Sequence, residues 1–315
     1  MKTAAGAEIK KKPFSKRLKE DLARNKVKYM LMIPIIIYFV LFHYKPMYGV
    51  LMAFQRYRPT LGIAGSRWVG LDNFIDFFGD PYFWRLLRNT FSISFYSILF
   101  GFPAPIILAL MFNEVRNERF KKTIQTVSYM PHFISLVIVC GIIKIFVQTD
   151  GIFPVFIENI FGIPASNWLT NSGYFYPIYV ISGIWQEVGW GSIIYLAALS
   201  GIDQELYEAA KIDGAGRLQQ IWHITLPGIL PTIMILLILR IGGILSVGYE
   251  KILLLYTPTT YEVADVISTY SYRRGIIDAD YSYSTAVGLF NSVVNIVFLV
   301  ATNKLSKKFT EVGLF

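Results

Sequence analysis

Cysteine is almost missing from this 315-residue sequence: Cys140 stands alone, so no internal disulfide and no multi-cysteine metal cluster can form. Histidine is nearly as sparse. His43, His132 and His223 lie far apart with no ligand spacing, and no metal site is expected. Charge is scarce as well, with 16% of residues charged against 54% hydrophobic, which excludes an ordinary soluble domain. No G-x-x-x-x-G-K-S/T phosphate loop occurs, so an ATPase that drove this chain would have to be a separate one. Linkers, low-complexity tracts and clear internal repeats are also missing.

What is present is long apolar segments. About 20 residues cross the hydrocarbon core as a helix, and six segments qualify: 29–54, 89–112, 123–147, 174–199, 228–247 and 284–302. An all-α integral membrane fold with six transmembrane helices follows. His43, Lys45 and Pro46 interrupt the first segment, leaving either a full span or a shorter span with a partly buried outer stretch. Pro103 and Pro105 are expected to kink the second span and Pro131 the third. The first apolar run has no good small-residue cleavage site and is expected to remain as an anchor. The chain divides into a basic N-tail (1–28), a transmembrane domain (29–304) and a C-tail (305–315).

Six spans put both termini on one side of the membrane. Nineteen Lys and Arg flank the spans on that side and nine, with Lys45 of the interrupted first segment included, on the other, so the termini are expected in the cytoplasm. The net charge of +9 raises the question of nucleic acid. The basic N-tail is better explained by the positive-inside rule and by anionic lipid headgroups. Phe14, Leu18 and Leu22 suggest a short helix lying on the inner membrane face.

Between the fourth and fifth apolar runs lies a polar loop, 200–227. Within it, Asp203, or Ser200 with Asp203 three residues on, can cap a short helix whose Ile202, Leu206, Ala209 and Ala210 share a face. The two alanines leave that face flat enough for another surface to approach closely. Gly214 supplies a positive φ to end the helix, and Gly216 lets the chain turn again. Leu218, Ile221 and Trp222 form a second apolar stripe, expected to stop at Pro227. The pattern reads as a docking element hung beneath a membrane domain.

Here the sequence resembles a known family. Glu208-Ala209-Ala210, Gly214 and Ile224-x-Leu226-Pro227 match the Glu-Ala-Ala loop of permease subunits in type I binding-protein-dependent ABC importers. The likeness extends through Trp68-Val69-Gly70-Leu71-Asp72-Asn73-Phe74, Tyr129-Met130-Pro131 and Ser182-Gly183-Ile184-Trp185 to the carbohydrate-uptake branch. Residues 261–270 and the C-terminal Glu311-Val312-Gly313-Leu314-Phe315 resemble its polysaccharide and uronate-oligosaccharide group. The resemblance implies that the loop is a coupling helix seated in a cleft of a cytoplasmic ATPase dimer. Glu208, Ala209, Ala210, Asp213, Gly214, Leu226 and Pro227 would serve it. ATP and Mg would be held by that partner ATPase, and this chain would itself be no enzyme and hold no cofactor. A second permease subunit in a heterodimer, an extracellular solute-binding protein and an oligosaccharide substrate are further implied, in a bacterial cell membrane.

Polar groups inside spans are costly and therefore informative. The fourth segment carries Trp185, Gln186, Glu187 and Trp190, with Tyr195 beyond. Aromatic faces stack on sugar rings and amide or carboxylate groups bond hydroxyls, so this stretch reads either as a sugar pathway or as tight interhelical packing. Arg240 could meet a uronate carboxylate or pair with Glu187, and the ion pair is preferred. Asn291 and Asn295 are further candidates. The outer loop 248–283 is rich in tyrosine and charge, and Tyr256, Tyr261, Tyr270 and Arg273 are its candidate contacts to the binding protein, against a purely structural cap. Asp278-Ala279-Asp280 reads as a solvated turn. The main rival is an ion-coupled secondary transporter, which needs ionisable groups within its spans. Only Glu187, Arg240 and Lys144 qualify. An exporter with a fused ATPase and a membrane glycosyltransferase fit less well.

Overall fold

The computed structural model describes residues 21–315; Phe14, Leu18 and the basic cluster 10–19 lie outside the described residues. The chain is built from α-helices: α1 (Lys26–Phe39), α2 (Asp72–Phe78), α3 (Phe83–Gly101), α4 (Pro103–Glu114), α5 (Glu118–Tyr129), α6 (Leu136–Val147) and α7 (Ile152–Phe161). They continue as α8 (Ser172–Leu199), α9 (Gln204–Ile212), α10 (Arg217–Gln220), α11 (Leu226–Gly242), α12 (Tyr249–Leu255), α13 (Ile267–Tyr272) and α14 (Tyr281–Thr310). One two-residue antiparallel ribbon, Gln55–Arg56 with Arg67–Trp68, pairs Gln55 with Trp68.

Among the described residues, five helical stretches are long and apolar enough to cross a membrane: Lys26–Phe54, Phe83–Glu114, Leu136–Phe161, Arg217–Gly242 and Tyr281–Thr310. Helix α8 has 28 residues, about 42 Å of helix, but its Tyr, Trp, Gly, Gln186 and Glu187 dilute its apolarity. It is also the centre of the molecule, packing against α3, α4, α5 and α11. A helix surrounded by protein can carry polar and small residues that lipid would not accept.

The third span departs from the expected 123–147. Pro131 lacks an N–H and the chain breaks into a 3₁₀ turn at Met130–Phe133; α6 then starts afresh with the Ser135 hydroxyl accepting from Ile138 N. The apolar stretch therefore begins at Leu136 and runs past Val147 to Phe161. The first segment is also interrupted as its sequence suggested, by a π turn at Val40–Tyr44 and a 3₁₀ stretch at Tyr48–Phe54. No residue of α1 is buried.

Glycine makes the central packing possible. A Cβ on Gly189 would lie 2.0 Å from the Ser128 carbonyl oxygen of α5, so α8 and α5 touch backbone to backbone. Gly189→Ala must force these helices apart. We expect a fall in melting temperature of the purified chain of several degrees, from overpacking that costs about 1–3 kcal/mol. Scanning fluorimetry showing no change would rule out this close approach.

At the C-terminus, Glu311 takes φ 58 and folds residues 311–315 back on α14. Asn303 Oδ1 accepts from Leu314 N at 2.7 Å and the Ser306 hydroxyl donates to Val312 O at 2.7 Å.

Candidate functional site

The polar groups of α8 open into a groove of about 580 Å³. Gln186, Glu187, Trp190 and Tyr195 line one wall, Ser97 and Pro105 of α3 and α4 another, and Arg240 of α11 with Lys251 of α12 the rest. Positions three and four apart on a helix share a face, which sets Glu187 and Gln186 beside Trp190. Tyr195 also belongs to a buried cluster with Ala109, Leu199 and Ile229.

Glu187 does not pair with Arg240, contrary to expectation. Its Oε2 lies 2.9 Å from His132 Nδ1, and the His132 ring stacks parallel on Trp190 at 4.6 Å between centroids. The 3₁₀ turn at Met130–Phe133 brings His132 to the groove wall. Arg240 is in no ion pair among the described residues. Nothing local marks His132 in the sequence, because its partner lies 55 residues away. Lys251 was likewise missed: it sits in a loop by sequence, yet its side chain is buried against Tyr179 of α8, with Nζ donating to Tyr179 O at 3.0 Å.

Two candidates lie elsewhere. Trp185 faces away from the groove into an apolar recess with Trp168, Tyr174 and Phe153. Asn291 is outside the groove, its Oδ1 buried without a hydrogen-bond partner. Asn295 has a structural task, accepting from Leu245 N and donating to the Ser246 hydroxyl, both at 3.0 Å.

The loop 248–283 folds into a cap with Asp265, Arg273 and Tyr270 turned inward. Asp265 is fully buried and takes both guanidinium nitrogens of Arg273, at 2.9 and 2.6 Å, and the Thr269 hydroxyl at 2.7 Å. Arg273 also lies against the rings of Tyr261 and Tyr270, and Tyr256 packs on Tyr261 at 4.7 Å. The Tyr270 hydroxyl donates to Asp80 at 2.5 Å; burial first, then the Asp80 carboxylate, push it up to about 12. Asn89 of α3 donates to the carbonyls of Glu262 and Asp265, both at 2.9 Å. Arg273 and Tyr270 are thus committed to the cap. The exposed charge nearby is Glu262, held by Arg88 at 3.0 Å. Asp278 and Asp280 flank Arg274 at 3.9 and 3.8 Å in an exposed turn.

On the opposite end, α9 is capped by Asp203, whose side chain accepts from Glu205 N at 3.0 Å. It ends in a Schellman motif: Ala215 N donates to Ala210 O at 2.8 Å and Gly214 N to Lys211 O at 3.1 Å, with Gly214 at φ 78. The Tyr207 hydroxyl lies 3.0 Å from Thr225 Oγ1 and ties α9 to the foot of α11. Glu208, Ala209, Asp213 and Gly214 are exposed and Ala210 is half-buried, while Leu206 and Ile212 project bare apolar surface. Pro227 does not end the stripe. Its missing N–H falls just after a π turn at Ile221–Thr225, so the helix runs on through it to Gly242, with Leu226 half-buried and Pro227 exposed.

Comparison with known proteins decides the family. Residues 101–311 match the binding-protein-dependent transport system inner membrane component. The chain belongs to that family. The permease is 47% identical over 312 residues, 99% of its length and 97% of the relative's, to the polygalacturonan/rhamnogalacturonan transport system permease protein YteP of Bacillus subtilis. It is 50% identical to Protein LplB of the same organism, over 93% of this chain and 92% of that one. A bacterial alginate ABC transporter, solved in complex with its alginate pentasaccharide-bound periplasmic protein, contains a chain 46% identical to the permease. That structure superposes with TM-score 0.86 over 95% of this chain and all of the other. Family membership sets aside the ion-coupled secondary transporter.

Proposed function

We propose that this permease is one of two different membrane subunits of an ABC importer for oligosaccharides cut from acidic polysaccharides, uronate-containing fragments included. The similarity of nearly the whole chain to permeases named for polygalacturonan/rhamnogalacturonan and alginate transport carries this reading. The polar groove beside α8 is a sugar pathway by its chemistry: an exposed indole, an amide, a carboxylate and two cations line one groove. Helix α8 counts as the sixth span, with both termini in the cytoplasm of a bacterial cell and the cap of residues 248–283 facing an extracellular binding protein.

Helix α9 then lies in the cytoplasm and docks in the cleft of a separate ATPase, which holds ATP and Mg. Glu208 supplies a polar contact, Ala209 and Ala210 a close approach, and Leu206 and Ile212 apolar burial. Closure of the ATPase dimer carries α9 with it, and Tyr207 on Thr225 passes the movement to α11. The spans rock to open the groove outward, and hydrolysis resets them. Differential contacts of the binding protein and ATP with the two states drive the cycle.

ATPase activity of the assembly, purified from co-expression with its partner permease, ATPase and binding protein, tests the reading. Stimulation is expected to need both the binding protein and an acidic oligosaccharide. A chain that folds in membranes but never co-purifies with an ATPase would refute it.

A further inference from the structure

Resting on that reading, we infer that Lys251, together with Arg240, forms an anion-selecting pair in the groove that holds the carboxylate of a passing acidic sugar. Lys251 is 8% exposed, and an ammonium that far from water needs compensation. The structure supplies only part of it: the Tyr179 carbonyl at 3.0 Å and the Tyr179 ring face at 4.8 Å. Both are neutral. No carboxylate lies within ion-pair distance of it among the described residues, nor of Arg240. Glu187 is the one acid lining the groove, and His132 already engages it at 2.9 Å.

The placement is that of a binding group rather than of a packing strut. Lys251 lines the groove along with Arg240, and its Nζ stands 3.4 Å from where a Cβ on Gly183 would be. A side chain at 183 would shield the amine from the channel, and glycine leaves it open. Two cations against a single acid give the groove an excess of positive charge, which a uronate carboxylate would balance and a neutral sugar would not. Arg240 can present a two-pronged contact and Lys251 a point charge. The aromatic surface of Trp190, stiffened by the His132 stack, would meet the ring of the same sugar.

The test uses the assembled permease–ATPase complex in detergent without binding protein, with trigalacturonate and its trimethyl ester as probes. Wild type is expected to bind the acid more tightly than the ester. Lys251→Gln should weaken trigalacturonate by about tenfold, the size of one lost charge-assisted bond, and leave the ester unchanged. Lys251→Arg should restore the acid preference. A purely structural tether to Tyr179 would instead lower the melting temperature and weaken both probes alike, which would overturn the inference, as would an unchanged affinity. Uptake of trigalacturonate into proteoliposomes with binding protein and ATP separates the two levels. If wild type imports it while Lys251→Gln binds it normally, the selecting pair fails and the importer stands. If wild type imports no acidic oligosaccharide, the substrate reading itself fails.

Discussion

Gly214→Val is expected to leave the permease in the membrane at near-normal level and to reduce ATP-driven uptake at least about tenfold. Gly214 holds φ 78 at the end of α9, a conformation that costs an L-residue roughly 1–2 kcal/mol and a β-branched one more. A Cβ there would meet nothing within 4 Å, so the penalty is one of backbone conformation alone. The chain can relieve it only by giving up the Ala215-to-Ala210 and Gly214-to-Lys211 bonds that close the helix. Unwinding that turn moves Ile212 and Asp213, which stand on the exposed edge proposed to enter the ATPase. The transmembrane packing is untouched, because α9 is tied to the foot of α11 through Tyr207 and the Ile202 that packs at Gly228 lies ahead of the helix. Gly214→Asn should be milder, since asparagine tolerates the left-handed region. Gly214→Asp keeps much of that tolerance but adds a carboxylate beside Asp213, so loss of coupling there reports on charge at the docking face. Normal coupled uptake in the valine variant would count against α9 as the docking element.

The parts of this architecture that the sequence reveals are those fixed by local chemistry. Lipid demands long apolar runs, so the spans stand out wherever lipid is the neighbour. The ends of α9 are legible because Asp203 and Gly214 each act within a few residues. The central helix α8 is harder. Its polarity is tolerated because α3, α4, α5 and α11 surround it, and one sequence does not show which helix is surrounded. The third span was misplaced at its start because Pro131 breaks the helix outright rather than kinking it, and the span begins afresh after the Ser135 cap. The pairing of Glu187 with His132 and the burial of Lys251 against Tyr179 join residues 55 and 72 positions apart. Their types are visible in the sequence, but their meeting depends on tertiary packing. The Tyr-rich loop 248–283 is the reverse case: its composition suggests a contact surface, while the internal bonds of Tyr270 and Arg273 emerge only from the packing.

Asp265→Ala should be the most damaging single change in the outer cap, destabilising the permease by about 3–5 kcal/mol, as expected for breaking a buried pair from one side. Its side chain is 1% exposed and anchors Arg273 through two bonds and Thr269 through a third. Arg85 also lies 3.7 Å from it, with its Nε buried and unpaired. Removing the carboxylate strands Arg273 beside the cluster of Ile267, Tyr270 and Phe83 and leaves Arg85 only the exposed Glu262, at 3.6 Å. Such a loss is a large share of the 5–15 kcal/mol that typically holds a protein folded. Melting of the purified chain and protease cutting within 248–283 measure it, and neither needs a binding protein. Asp265→Leu with Arg273→Met should recover part of the loss, because apolar groups of similar volume need no counter-charge; recovery stays partial since Arg85 remains. Glu262→Gln and Arg88→Gln on the exposed rim are expected to keep normal melting and to alter only stimulation by the binding protein. If Asp265→Ala melts normally while stimulation disappears, the carboxylate serves recognition and the inward-turned cap is wrong.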